Sequence, residues 1–327
     1  MARKLYIEAI HDAMAEEMRR DESVFILGED VAVRGGVFRV TQGLLEEFGE
    51  QRVIDTPLAE SAIVGVAVGA AAYGMRPIAE IQFVDFILPA VNQIISEAAK
   101  MRYRTRGDWQ CPLVVRAPYG GGVHGALYHS QSLEAMFFHI PGLKVVMPST
   151  PADAKGLLVA AIRDPDPVLY LEHKGLYRLV RDEVPDGLFE VPIGKGAVRR
   201  EGDDITVIAY GLMAHRALEA AERLAGEGVS AHVIDLRTVA PLDRELILEG
   251  ARKTGKVLVV HEDNQTGGVG AEVAAIIAGE ALYDLDAPIR RLCGPDIPAM
   301  PFSPPLEQFY MIQTDQIAAA MRELAAY

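Results

Sequence analysis

Apolar and polar positions along this chain fall into short blocks whose period keeps switching. "YIEAIHDAMAEEMRRD" places its apolar residues at helical spacing, and "SVFILGED" is a short apolar run closed by glycine and acids. "SAIVGVAVGAAAYGM" (61–75) is apolar on every side, which predicts a buried helix; it is shorter than the roughly 20 residues a bilayer span needs, and Arg76 closes it. Gly65 and Gly69, one turn apart in it, leave room for another backbone, from this chain or from a second subunit. "RPIAEIQF" is strand-like and "ILPAVNQIISEAAKMRYRT" helical; "CPLVVRAPYGGG" is a strand running into glycines. "LKVVMPS" and "PVLYLEH" read as strands around "TPADAKGLLVAAIRD", a helix with Thr150 as cap and Pro151 in its first position. Such alternation predicts an α/β fold, doubly wound, with mostly parallel sheets covered on both faces.

The pattern breaks at "RDEVPDGLFEVPIGKG", rich in Pro, Gly and acids, and a linker is expected over 181–197. A second α/β series follows in "DITVIAYG", "HRALEAAERLAGEG", "SAHVIDLR", "DRELILEGARKTG" and "KVLVVHED". With 327 residues, two domains are expected, 1–180 and 198–327. A net charge of −14 argues against nucleic-acid binding, which needs clustered Lys and Arg. No cleavable leader and no membrane span are expected, since "MARKLYIEAIHDAMAEEMRRDE" turns charged before an apolar core forms. The two cysteines, Cys111 and Cys293, form no CxxC and suit a reducing cytoplasmic setting.

Four stretches carry candidate chemistry. In "DTPLAES", Glu60 precedes the apolar helix; it is either a favourable partner of the helix dipole or a desolvated carboxylate ready to share a proton with a ligand. In "AEIQFVDF", Gln82 and Phe86 follow a strand, where an amide and an aromatic face can meet a flat heterocycle; read alone, the stretch is better accounted for as a plain strand end with a core phenylalanine. "PYGGGVHGALYHSQS" (118–132) lacks the Lys-Ser or Lys-Thr of a phosphate loop, and nothing near His124 and His129 completes a zinc site. Acid–base work by a histidine remains open there, as does a surface role. "AIRDPDP" is either a solvated turn or a set of oxygens around a hard cation.

Read in order, "LGEDV", "GGVF", "DTPLAE", "RPIAEIQF", "PAVNQIISEAAKMRYR", "GALYHSQS", "PGLKVVMPSTPADAKGLL" and "LYDLDAPIRRLCGPDIPAMP" resemble the beta subunit of thiamine-diphosphate-dependent 2-oxo acid dehydrogenases, the branched-chain type above all. The resemblance spans the whole chain. It implies a transketolase-type pyrimidine-binding domain followed by a transketolase C-terminal domain. The magnesium motif of that family, GDG followed by an Asn pair, is missing here; the resemblance assigns it to an alpha subunit and implies a heterotetramer that shares the cofactor.

Carried over residue by residue, Glu60 corresponds to the glutamate that bonds the aminopyrimidine ring, while Leu58, Gln82 and Phe86 line its pocket and Glu29 borders the cofactor. His129 corresponds to the histidine facing the reacting centre; His124 is left as a neighbour of it. Leu113, Ala161, Ile162, Asp164 and Asp166 correspond to a structural potassium site. The implied activity is oxidative decarboxylation of a small branched-chain 2-oxo acid, with the acyl group passed to lipoyl groups of an acyltransferase core. A pyruvate or acetoin substrate is the alternative within enzymes, and a non-catalytic scaffold subunit is the alternative outside them.

Overall fold

A computed structural model describes residues 1–327, which form two compact units: Met1–Tyr119 with Met136–Ile193, and Gly120–Ala135 with Gly194–Tyr327. The segment 120–135, expected with the first domain, thus groups with the second. The expected linker also begins later: Arg181–Val184 is a strand paired antiparallel with Ala2–Leu5, and Val191 donates its N–H to the Gly156 carbonyl at 3.1 Å. Both segments remain part of the first unit because their backbone groups find partners there.

In the first unit, six parallel strands stand side by side in the order Lys144–Val146, Val168–His173, Val114–Tyr119, Arg76–Glu80, Val24–Gly28, Val53–Asp55. Their near-continuous burial explains the unbroken apolar runs in the sequence, as expected of strands covered on both faces. The helices Tyr6–Arg20 and Pro151–Arg163 pack on each other. Buried Glu17 of the first is held between Arg163 and Arg20, at 2.6 and 2.7 Å. Thr150 caps the second helix through its hydroxyl, which accepts the Asp153 N–H at 3.2 Å.

Two helical expectations need correction. The helix Glu60–Ala72 buries Ile63, Val64, Ala67, Val68 and Ala71, but Ala62, Val66, Gly69 and Tyr73 form an exposed stripe. A Cβ at Gly69 would meet nothing within 4 Å, and one at Gly65 only the Gln93 side chain at 3.6 Å, so no backbone of this chain uses that space. The stretch 87–105 is not one helix but a short turn at Leu88–Ala90, a wide π-type turn over Gln93–Ala98, and a final turn at Met101–Arg104. Pro89 supplies no N–H and so interrupts the ladder at its start.

The second unit holds a five-stranded sheet in the order Arg290–Gly294, Val257–Asn264, Ile205–Ala209, Ala231–Asp235, Ala197–Arg200, parallel except for its last pair. The helices Leu212–Ala225, Arg244–Thr254, Val269–Glu280 and Thr314–Ala325 belong to this unit. Asp243 caps Arg244–Thr254, and Gly255 (φ +64°) ends it in the left-handed turn that glycine favours. No helix is long and apolar enough to cross a membrane.

Candidate active site

One row of the first sheet organises the candidate residues. Parallel register sets Gly28 beside Asp55 on one side and Glu80 on the other, and Glu80 beside Arg116. The strands carrying Gly28, Asp55 and Glu80 stop at this row, so Glu29, Leu58–Glu60 and Gln82–Phe86 all emerge at the carboxyl edge of the sheet. That edge is where open parallel sheets bind ligands. Gly28 cannot be larger: a Cβ there would stand 2.8 Å from the Glu80 carbonyl oxygen. The emerging loops are tied back to the row. Asp55 accepts the Ala32 and Val33 N–H groups at 2.6 and 3.2 Å, and the Thr56 N–H donates to the Gly28 carbonyl at 2.9 Å.

Below the edge, fully buried Arg116 bridges Glu80 and Glu172, meeting the second through both Nε and Nη2, and Tyr177 donates its hydroxyl to Glu172 at 2.6 Å. Burial pushes the Glu80 carboxyl up against the opposing pull of Arg116. A buried guanidinium satisfied on both sides locks three neighbouring strands at the row that carries the site.

Glu60 opens its helix and is 9% exposed. Glu29 is held above the usual carboxylate range, first by burial and then by the negative charges of Glu60 and Asp30. Glu29 therefore lies in the field of Glu60, and its own carboxyl keeps a proton more readily than an isolated acid does. Gln82 donates its side-chain N–H to the Glu29 carbonyl at a long 3.4 Å. The Phe86 ring meets Phe83 edge-on at 6.0 Å, and Phe83 meets Phe38 at 5.4 Å. Leu58 is largely exposed.

A flat ring carrying nitrogens fits this set: a nearly buried carboxylate, an amide and an aromatic face within one edge. A diphosphate does not, because Glu29, Asp55 and Glu60 give the edge a negative field.

His129 lies in the second unit, on the loop 120–135. The Gly120 N–H closes the loop onto the Gln131 carbonyl at 2.9 Å. Three distant acids hold its backbone: Glu262 accepts from Gly121 at 2.6 Å, Glu307 from Gly122 and His124 at 2.9 and 3.2 Å, and Asp263 from Ala135 at 3.2 Å. The His124 ring contacts the second oxygen of Glu307. Gly125 touches His129 itself, since a Cβ there would stand 2.7 Å from both the Cβ and the carbonyl oxygen of His129. The Tyr210 hydroxyl donates to buried Glu134 at 2.8 Å, and burial together with Asp263 keeps that carboxyl protonated far above its usual range.

None of these anchors was singled out in the sequence. A signal was present: Glu262 and Asp263 lie in the polar end, "HEDN", of a strand that begins with four apolar residues, and Glu307 is a lone acid in "PPLEQFY".

The side chains expected to bind potassium are engaged otherwise. Lys144 holds both oxygens of Asp164 at 2.6 and 2.7 Å, and Arg102 holds Asp166 at 2.5 Å. Arg76 donates to the Ile162 carbonyl at 2.8 Å, and the Leu113 carbonyl accepts from Val168 at 2.9 Å. The carboxylates therefore do not fit a cation site, because their charge is already matched; only backbone oxygens of the turn are left for one. No group of three or more His, Cys, Asp or Glu side chains stands together as a metal site.

Comparison with known proteins places the whole chain in a family. Residues 4–180 match the family described as "Transketolase, pyrimidine binding domain", and 194–317 match "Transketolase, C-terminal domain". The chain is 68% identical over 322 residues to the 2-oxoisovalerate dehydrogenase subunit beta of Bacillus subtilis (strain 168), covering 98% of each. It is 50% identical to the pyruvate dehydrogenase E1 component subunit beta of the same organism, covering 93% of each. To the acetoin:2,6-dichlorophenolindophenol oxidoreductase subunit beta of Cupriavidus necator it is 49% identical, over 99% of this chain and 98% of that one. Among solved structures, a "Split gene transketolase, inactive beta4 tetramer" superposes with a TM-score of 0.80 at 26% identity, covering 98% of both chains.

Proposed function

The chain belongs to the transketolase-type, thiamine-diphosphate-dependent beta subunits of 2-oxo acid dehydrogenases, and from that premise we propose that it acts with an alpha subunit to decarboxylate branched-chain 2-oxo acids oxidatively. The observation that carries the substrate class is the step in identity from 68% for the 2-oxoisovalerate relative to 50% for the pyruvate relative. The acetoin relative, at 49%, keeps a second substrate reading in play.

Bound thiamine diphosphate supplies a nucleophilic carbon and an electron sink. Glu60, nearly buried at the start of its helix, would bond the ring nitrogen of the pyrimidine and share a proton with it. Gln82 and Phe86, which follow the neighbouring strand end, would orient the ring, and exposed Leu58 would close its rim. The acidic edge leaves the diphosphate and its magnesium to the alpha subunit, hence a heterotetramer. His129 serves the transfer of the acyl group to a lipoyl arm of the acyltransferase core, as the acid for the departing sulfur or as a stabiliser of developing charge.

The setting is cytoplasmic. A structural potassium ion would be held through the second lone pairs of the carbonyls of Leu113, Ala161, Ile162, Asp164 and Asp166 rather than by the carboxylates, which Lys144 and Arg102 already match.

The test is a substrate panel on the complex co-expressed with its alpha subunit. Turnover of 2-oxoisovalerate is expected to exceed that of pyruvate and acetoin. A preference for pyruvate or acetoin would overturn the substrate class, and no thiamine-dependent turnover of any of them would overturn the enzyme reading in favour of a scaffold.

A further inference from the structure

The loop that carries His129 has an unusual backbone. His124 (φ +56°) and Ala126 (φ +57°) both occupy the left-handed region although neither is glycine, with Gly125 between them. Side chains with a Cβ resist that conformation, so a chain left to itself would relax out of it. What holds it lies 183 residues away in sequence: the Glu307 carboxylate is 2% exposed and accepts the Gly122 and His124 N–H groups on one oxygen, while its other oxygen meets the His124 ring. Hydrogen bonds that converge on one buried carboxylate are the strong kind. Immediately after this fixed point, Gly125 lies directly against His129. A shift of the 122–125 backbone is therefore passed to His129 by contact.

We infer that Glu307 is a positioning residue for acyl transfer: by gathering two backbone amides and the His124 ring, it fixes the strained turn from which His129 is presented. Glu307 touches neither substrate nor cofactor in this role. It acts through His129, and so the inference rests on the role of His129 proposed above.

The experiment uses the co-expressed heterotetramer and two assays, decarboxylation read with an artificial electron acceptor and acylation of a free lipoyl domain. Glu307→Ala is expected to lower lipoyl acylation by about 10- to 100-fold, the size of effect a small misplacement of a reacting group produces, with decarboxylation changed by less than about threefold. Glu307→Gln keeps an oxygen able to accept both amides and is expected to restore acylation to within a few-fold of wild type. In the His129→Ala background, Glu307→Ala is expected to add no further loss, because a residue acting only through His129 has nothing left to position.

Multiplying losses in the double variant would overturn the inference. So would equal losses in both assays for Glu307→Ala, or a Glu307→Gln variant as impaired as Glu307→Ala. His129→Ala measured alone separates the two claims: equal losses in both assays for that variant would sink the role of His129, whatever Glu307 does.

Discussion

The sheet edge around Glu60 and the loop around His129 are built on opposite principles. At the edge, position follows from strand register: Gly28, Asp55, Glu80 and Arg116 fall in one row, and the candidate residues are those that follow the strands out of it. In the loop no strand register helps. Its backbone is pinned by carboxylates from far along the chain, Glu262, Asp263 and Glu307, against left-handed turns at His124 and Ala126. The edge is rigid by its place in a core, whereas the loop is rigid only while a few charged hydrogen bonds persist. Side chains that shape a cofactor can stand on the first kind of support. The group proposed to meet an arriving lipoyl arm, His129, stands on the second.

The largest expected effect is at the edge. Glu60→Ala should cost decarboxylation more than about 100-fold, the range for loss of a positioned proton-holding group, with the thermal transition of the complex unchanged. Rates near wild type would remove Glu60 from the chemistry. His129→Ala should divide the two half-reactions, lowering lipoyl acylation about 100-fold and decarboxylation with an artificial acceptor by less than about tenfold.

Arg116→Met tests whether the row is the foundation of the edge. It strands Glu80 and Glu172 as buried, unpaired carboxylates, and should destabilise the chain by about 3–5 kcal/mol in denaturant unfolding. A loss below about 1 kcal/mol would mean that the row holds without its central cation.

The smallest effect concerns the floor of the second unit, where the His261 imidazole is fully buried and stacked on Tyr210. Burial lowers it to about 4. A folded value depressed below the unfolded one, about 6.5, means that its contribution is complete above pH 6.5 and is lost as pH falls toward 4, about 3 kcal/mol in all. NMR titration of the ring should give a midpoint near 4; a midpoint above 6 would contradict this packing.

The same contrast explains how much was legible in the sequence. Strands buried on both faces announce themselves as apolar runs, and Thr150 with Pro151 announced a capped helix, so most of both α/β series could be read directly. The place of Glu60 at the start of its helix, and its near burial, were legible because a lone acid opening an apolar helix stands out. The exposed stripe on that helix was not, because its face is apolar too and periodicity cannot tell a buried apolar face from an exposed one. Nor were the anchors of the loop. Gly121 and Glu262 are 141 residues apart, and no local pattern links an amide to a carboxylate at that distance. The acids in "AIRDPDP" suggested a cation, but the cations they meet are Lys144 and Arg102, contributed by other segments.

The central claim is that this chain supplies the pyrimidine half of a shared cofactor site and nothing of its phosphate half. Calorimetric titration of thiamine diphosphate with magnesium into this chain alone, the alpha subunit alone and the assembled pair tests it most directly. The account predicts tight binding only in the pair, weakened by Glu60→Ala. Binding to this chain alone as tight as to the pair, or binding by the pair indifferent to Glu60→Ala, would contradict it.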